Sequence, residues 1–435
     1  MLAIAVQRAA AVSVVVAAAT ALAQGSSDEG HLLDAYTPAW LRFGGQVRGR
    51  LELPQGADVL VGSADCYLLT RVRLNVTLRP LKWLTMFAET QDTRALGYGG
   101  TPPATMQDPL DLHAAYIELK SGGDRGVILR TGRQEMAFGN SRVISIGPWS
   151  NTSKSFDVVR AALFRPGLRL ELIAGSLVQA DGARFDRHKP GEHFYTSYNT
   201  FSRLVPRSQL EPYFIAKTVK GVTGELGSHG NAVVYTGGFR WAGTLAARFD
   251  YSAEVLRQWG SWAADRVRAE AGTYTFGWTI NDAAHKPRVS VDYSFGSGDR
   301  NPADGVRGAL DLLYGNNQPF FSYTGMFSWR NIRTLRAGAD FNARKNVKVV
   351  LDYRDFYLAT VADAWYNAAG NRIVLNRAAT SRHIGDGPDT QLVWTAGPYG
   401  RVTIGLAAVF AGAYIRQSVR GGGYLYPYVA WGRQF

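Results

Sequence analysis

The chain has one cysteine, Cys66, in 435 residues. That excludes an internal disulfide, so no covalent staple holds the fold together. Acidic side chains are the minority: 35 Asp and Glu stand against 48 Lys and Arg, a formal charge of +13. Lysine is also scarce, and 39 of the basic groups are Arg. Beyond the N-terminus no apolar run approaches the roughly 20 residues of a membrane-spanning helix. The seven His are scattered, and no H-E-x-x-H, G-x-S-x-G or Walker sequence occurs. Enzyme chemistry and a cofactor are therefore not expected. His188 and His193 read as loop residues. DRNPADG (299–305) reads as a polar turn, because Ala303 stands where a calcium loop needs an oxygen ligand.

What is present begins with AAAVSVVVAAATALA, ending in Ala21-Leu22-Ala23 before Gln24. Residues 1–23 read as a secretory signal peptide with an A-x-A cleavage site. Residues 24–39 then form a periplasmic segment, and 40–435 a single domain without internal repeats. A pI near 9.8 on an exported chain points to an anionic partner such as acidic glycan or lipopolysaccharide, and not to nucleic acid. Arg suits planar, bidentate recognition of carboxylates better than Lys does.

The dominant pattern has period two. In LRFGGQVRGRLEL, Leu41, Phe43, Val47 and Leu51 alternate with Arg42, Gln46, Arg48, Arg50 and Glu52. Leu68, Val72, Leu74 and Val76 likewise oppose Arg71 and Arg73. Val289, Val291 and Tyr293 oppose Arg288 and Asp292; Val347, Leu351 and Tyr353 oppose Lys348, Asp352 and Arg354. TLAARFDYSAEVLRQ (244–258) reads as one strand, with Leu245, Phe249 and Tyr251 opposite Arg248, Asp250 and Glu254. Such alternation fits a β-sandwich or a transmembrane barrel. In a barrel the charged stripe faces inward, since an Arg on the lipid face near the midplane costs about 2–4 kcal/mol. The terminal strand YLYPYVAWGRQF favours the barrel. It ends on Phe435, the form in which outer-membrane barrels present themselves to the assembly machinery. KWLTMF, QPFFSYTGMFSW and YLYPY read as aromatic girdles at the membrane interfaces. At about 9–11 residues per strand the chain holds roughly 16–18 strands, an even number if both termini are periplasmic.

GRQEMAFGNSRVISIGPWSNTSKSFDVVR (132–160) resembles the Gly-Arg-Gln, Phe-Gly, Trp-x-Asn and Phe-Asp signature of the alginate-export family of outer-membrane porins. RFDYSAEVLRQWG (248–260), PRVSVDYSFGSGD (287–299) and the loop at 310–332 are similar to further family segments, so the resemblance runs from Trp40 to Phe435. It implies an all-β, 18-stranded antiparallel barrel that exports an anionic polysaccharide through an arginine-lined pore. Two segments depart from the family. The long loop reads NNQPFF where a His is common, and GDGPD stands in place of Gly-x-Glu-x-Asp.

The expected pore lining is Arg48, Arg50, Arg71, Arg73, Arg133, Glu135, Arg248, Asp250, Glu254, Arg288, Asp292, Asp352 and Arg354. Within it Arg would replace part of a carboxylate's hydration while the acids hold the guanidinium groups in place. Expected partners are an acidic polysaccharide of alginate-like polyuronate type, outer-membrane lipid and lipopolysaccharide, the barrel-assembly machinery and a periplasmic export scaffold; the barrel is expected to be a monomer. A porin for small organic anions, a barrel enzyme and a secreted glycan-binding sandwich remain as alternatives.

Overall fold

The computed structural model describes residues 37–435 apart from 57–65, 247, 281–284, 319 and 420–421. The expected signal peptide and most of the 24–39 segment lie outside the described residues. The alternating segments become eighteen antiparallel strands: β1 (Leu41–Glu52), β2 (Tyr67–Leu81), β3 (Leu84–Leu96), β4 (Asp108–Lys120), β5 (Gly126–Gln134) and β6 (Phe156–Arg165); β7 (Leu168–Gln179), β8 (Glu192–Phe201), β9 (Ser208–Thr223), β10 (His229–Ala246), β11 (Phe249–Trp262) and β12 (Asp265–Thr279); β13 (Arg288–Gly296), β14 (Ile332–Arg344), β15 (Val347–Leu358), β16 (His383–Thr395), β17 (Arg401–Ala411) and β18 (Gly423–Gln434). Each pairs with its chain neighbour, and β18 pairs back onto β1 from Gln46↔Gln434 to Glu52↔Tyr428. The sheet therefore closes. Closure removes both edges and satisfies the strand backbone without water, which is the condition for crossing lipid as β-structure.

The connections are unequal. At the end that carries Leu41 and Gln434 the turns are mostly short, as at 82–83, 166–167 and 345–346. At the other end several are long: 135–155, 297–331 and 359–382. Strand faces follow parity. Phe43, Val72, Leu74, Val291, Leu351 and Tyr353 are exposed on the outside, and Arg50, Arg71, Arg73, Asp292 and Arg354 are buried inside. Outside aromatics touch across strands near the short-turn end, where Phe249 lies 5.7 Å from Phe276 and 6.3 Å from Trp278. Outward charge is found toward the loop end, where Arg257 and Glu270 are opposed in register and Asp92 holds Arg94.

Two expected girdles are not girdles. In 318–329, Phe321, Met326, Phe327 and Trp329 are buried in a core inside the barrel, as are Tyr424, Tyr426 and Tyr428 of the last strand. The Tyr residues sit on the inward parity of β18. The 318–329 segment belongs to a loop that folds inward, so it cannot reach the membrane interface. The stretch 244–258 also departs from a single strand. It ends β10 at Ala246, turns at Arg248 and starts β11 at Phe249.

Leu351 sits outside, four residues from the start of β15. Leu351→Arg should lower the unfolding free energy in vesicles by about 2–4 kcal/mol, measured by guanidinium titration. An unchanged midpoint would place this position outside the lipid band.

Candidate functional site: the arginine ladder and the inserted loops

Four Arg side chains stand together on the inner faces of β1 and β2. Arg48 and Arg71 are opposed in register, Arg73 is opposite Gln46, and Arg50 follows Arg48 on the same face. Like charges this close repel by about 1 kcal/mol at 4 Å in water and about 4 kcal/mol at an effective dielectric near 20. Loop 135–155 supplies the compensation by bending into the barrel and laying its peptide oxygens on the ladder. Arg48 donates to Pro148 O (2.9 Å), Ser150 O (3.0 Å) and Asn151 Oδ1 (2.9 Å). Arg71 donates to Asn151 O and to Ser153 Oγ at 2.9 Å. Arg50 donates to Trp149 O at 2.6 Å, lies 4.0 Å over the Trp149 ring and pairs with Glu52. Arg73 donates to Glu135 Oε1 at 2.9 Å, the same oxygen that meets His113 Nε2 at 2.8 Å. Against its burial, the His113 hydrogen bond and the Arg73 charge hold the Glu135 carboxyl down at about 2.

Arg50 and Arg73 thus have carboxylate partners. Among the described residues Arg48 and Arg71 bond only neutral oxygens. Asn151 fixes the loop in this position, because its Nδ2 donates to Thr70 O (3.0 Å), Arg94 O (3.3 Å) and Met106 O (2.8 Å) on neighbouring segments.

Loop 297–331 enters beside it. Tyr314 N donates to Val143 O (3.1 Å) and Ser145 N to Tyr314 O (3.2 Å), while Lys154 Nζ reaches Tyr314 O and Gly315 O at 3.0 and 2.7 Å. Burial pushes the Lys154 ammonium down to about 8. Met136, Phe138, Ile144, Tyr314, Phe321 and Phe327 make an apolar core with wall residues such as Phe156 and Phe356. Arg142 is buried at the join of the two loops. Its guanidinium lies 4.3 Å from the Phe320 ring and 5.3 Å from Trp329, with Asp292 at 3.8 Å. Its Nε and Nη1 have no hydrogen-bond partner among the described residues. Burial lowers its pKa, opposed by Asp292 and Glu254.

The alginate export profile matches residues 39–421. The chain belongs to the alginate export family. No curated protein matches it significantly. Solved structures from Pseudomonas aeruginosa share the fold. OpdO has a TM-score of 0.60 at 12% identity, covering 91% of this chain and 97% of that one. OpdK, solved with vanillate, has 0.60 at 11%, covering 91% and 99%. The protein is an outer-membrane porin of this family, with the short turns periplasmic and the long loops extracellular.

In this porin the remaining candidates fall in three places. Arg288 grips Asp250 with two bonds of 2.8 and 2.6 Å inside the barrel. Asp352 lies between Arg336 (2.7 Å) and Arg354 (3.2 Å), and Arg354 continues to Asp389 at 3.1 Å. Asp292 accepts from Thr275 Oγ1 at 2.7 Å, and Glu254 from the Tyr213 hydroxyl at 3.1 Å. The wall from β11 to β16 is thus a mixed ladder of alternating sign, unlike the basic β1–β2 wall.

Two candidates are corrected. Arg133 does not share a face with Glu135 inside the barrel. It has the outward parity of Val127 and Leu129, which are exposed, and is opposed in register to Asp157, which it holds with bonds of 2.8 and 3.1 Å. Glu135 faces in because β5 has ended at Gln134 and the chain has turned. Arg248 lies exposed in the periplasmic turn before β11, since Ala246 already ends the preceding strand. Arg142, Arg336 and Lys154 were not singled out from sequence. Arg336 has the same alternation as its neighbours and could have been found; Arg142 and Lys154 lie in a loop, where parity says nothing.

Asn151→Ala removes the two N–H groups shared among three backbone carbonyls and the Oδ1 acceptor of Arg48, each hydrogen bond worth about 0.5–1.5 kcal/mol. The barrel should still show heat-modifiable migration, while single-channel current becomes noisier as loop 135–155 detaches. Parental noise in this variant would mean that other contacts hold the loop.

Proposed function

We propose that this porin passes carboxylate-bearing saccharides, alginate-like polyuronate or its fragments, along the β1–β2 arginine ladder. The observation that carries this reading is the pair Arg48 and Arg71, set side by side with only neutral oxygens as partners among the described residues. The nearby carboxylates, Glu52, Glu89 and Glu135, are taken up by Arg50 and Arg73 instead. A passing carboxylate can replace loop carbonyls at a guanidinium and be released when the carbonyls return, and a conduit needs sites that attract yet let go. The planar guanidinium offers two parallel N–H groups to a carboxylate. The family match to alginate export supports the polymer, and no chemical step is required.

A second reading, passage of small organic anions, is favoured by one feature. Two long loops are packed together inside the barrel around an apolar core, which narrows the path, and the similar OpdK was solved with vanillate.

Planar-bilayer recording tests both. The parent channel should favour anions at low salt and less so at high salt, as the Debye length shrinks to about 3 Å at 1 M. Polyuronate fragments should block it. Replacing Arg48 and Arg71 together with Ala should weaken the preference and the block by on the order of tenfold. Anion preference and small-carboxylate flux without any polyuronate block would select the second reading. A cation-selective parent would overturn both.

A further inference from the structure

Away from the ladder, three carboxylates converge at the extracellular rim. Asp108 opens β4, Asp111 follows on the same strand, and Asp186 comes from the segment between β7 and β8. One oxygen from each lies within 4.8 Å of the other two. The segment is drawn in by its backbone: Asp186 N donates to Asp111 Oδ2 at 2.5 Å, and Asp181 N to Asp186 Oδ1 at 2.8 Å. A Cβ added at Gly182 would just reach Gln107 O and Pro109, so the segment passes close beside the start of β4.

The charge balance there is unusual for so basic a chain. No ion pair among the described residues involves Asp108, Asp111 or Asp186. Arg133 approaches, but its Nη2 donates to the backbone carbonyl of Asp186 at 3.0 Å, and its charge is matched by Asp157. Asp108 is only 2% exposed. Its Oδ1 is buried with no hydrogen-bond partner among the described residues. An ionised carboxylate out of water needs a partner, and here two more carboxylates stand beside it instead. A hard divalent cation supplies that partner, since oxygen-only, carboxylate-rich sites are what calcium takes.

We propose that Asp108, Asp111 and Asp186 bind a divalent cation, calcium in preference to magnesium. Calcium is favoured because the donors come from separate segments that set no strict octahedron, whereas magnesium demands one and dehydrates reluctantly. The position gives the ion a structural use. β5 and β6 lie between β4 and β7 in the wall, and the chain joining them is loop 135–155, which leaves the rim for the lumen. The cation clasps the 180–191 segment to β4 across that opening.

A second acidic group, Asp355, His383 and Asp386, lies on the outer face at the parity of Tyr353 and Tyr357. It is partly exposed, has no buried orphan oxygen and serves as the control.

The test uses the whole barrel, refolded in detergent without lipopolysaccharide and stripped with EDTA. Calcium chloride is titrated by calorimetry, and thermal unfolding is followed with and without it. The expected result is one calcium per barrel with a Kd of about 10⁻⁵–10⁻³ M, weaker magnesium binding and a higher Tm with calcium. Asp108→Asn should weaken calcium binding roughly tenfold or more. Asp186→Asn, in a connecting segment, should do the same and decides the matter if the first variant does not refold. The Asp355→Asn, Asp386→Asn double variant should bind as the parent does. No calcium uptake at about 10 mM, or uptake unchanged in Asp186→Asn, would overturn the proposal.

Discussion

Backbone hydrogen bonding without water is the constraint on which this structure rests. In lipid every strand N–H and C=O must find a partner within the sheet, and the pairing of β18 with β1 is what leaves none of them on an edge. Once the sheet is closed, side chains have only two destinations. Period two then makes each strand apolar outside and free to be charged inside. The excess of Arg in this chain is accommodated because a barrel of this size has an interior to put it in.

An interior lined with cations creates a second problem, which the loops address. The β1–β2 wall sets Arg48 against Arg71, and neither has an acidic partner among the described residues. Loop 135–155 meets them with carbonyl dipoles. Dipoles stabilise a guanidinium without neutralising it, so these two groups keep their charge while Arg50 and Arg73 are paired with carboxylates. From β11 to β16 the sequence uses the other solution, interleaving Asp and Arg until charges largely cancel. The two walls therefore differ: guanidinium groups held by neutral oxygens stand on one, interleaved ion pairs on the other.

The inserted loops are held by their own physics. The apolar side chains of 135–155 and 297–331 are buried against one another and against inward aromatics of the wall, so the loops form a core within the barrel where a soluble protein would have one between layers. Polar stitches fix their relative height: Asn151 to the strand ends and Lys154 to the carbonyls of Tyr314 and Gly315. The family signature is explained by these contacts. Trp149 stacks on Arg50, and Asn151 anchors the loop that carries both.

Strand class and the two faces of each strand are legible in the residues, because alternation is a local property. The closed barrel came from the terminal strand and the family resemblance, and the cost of a charge in lipid then says which face is outside. Arg48, Arg50, Arg71, Arg73, Asp292, Asp352 and Arg354 follow from that alone. Where a strand stops is not a local property. Arg133 and Glu135 are two residues apart, yet one faces out and the other in, since β5 ends between them; Arg248 falls in a turn for the same reason. Which loops enter the lumen was decided only by tertiary structure. The aromatics of 318–329 suit a membrane interface as well as a buried core, and only their contact with loop 135–155 selects the core. The acidic cluster at the rim is likewise tertiary, for Asp186 is remote in sequence from Asp108 and Asp111 and meets them only because the wall brings β4 and β7 around the same opening.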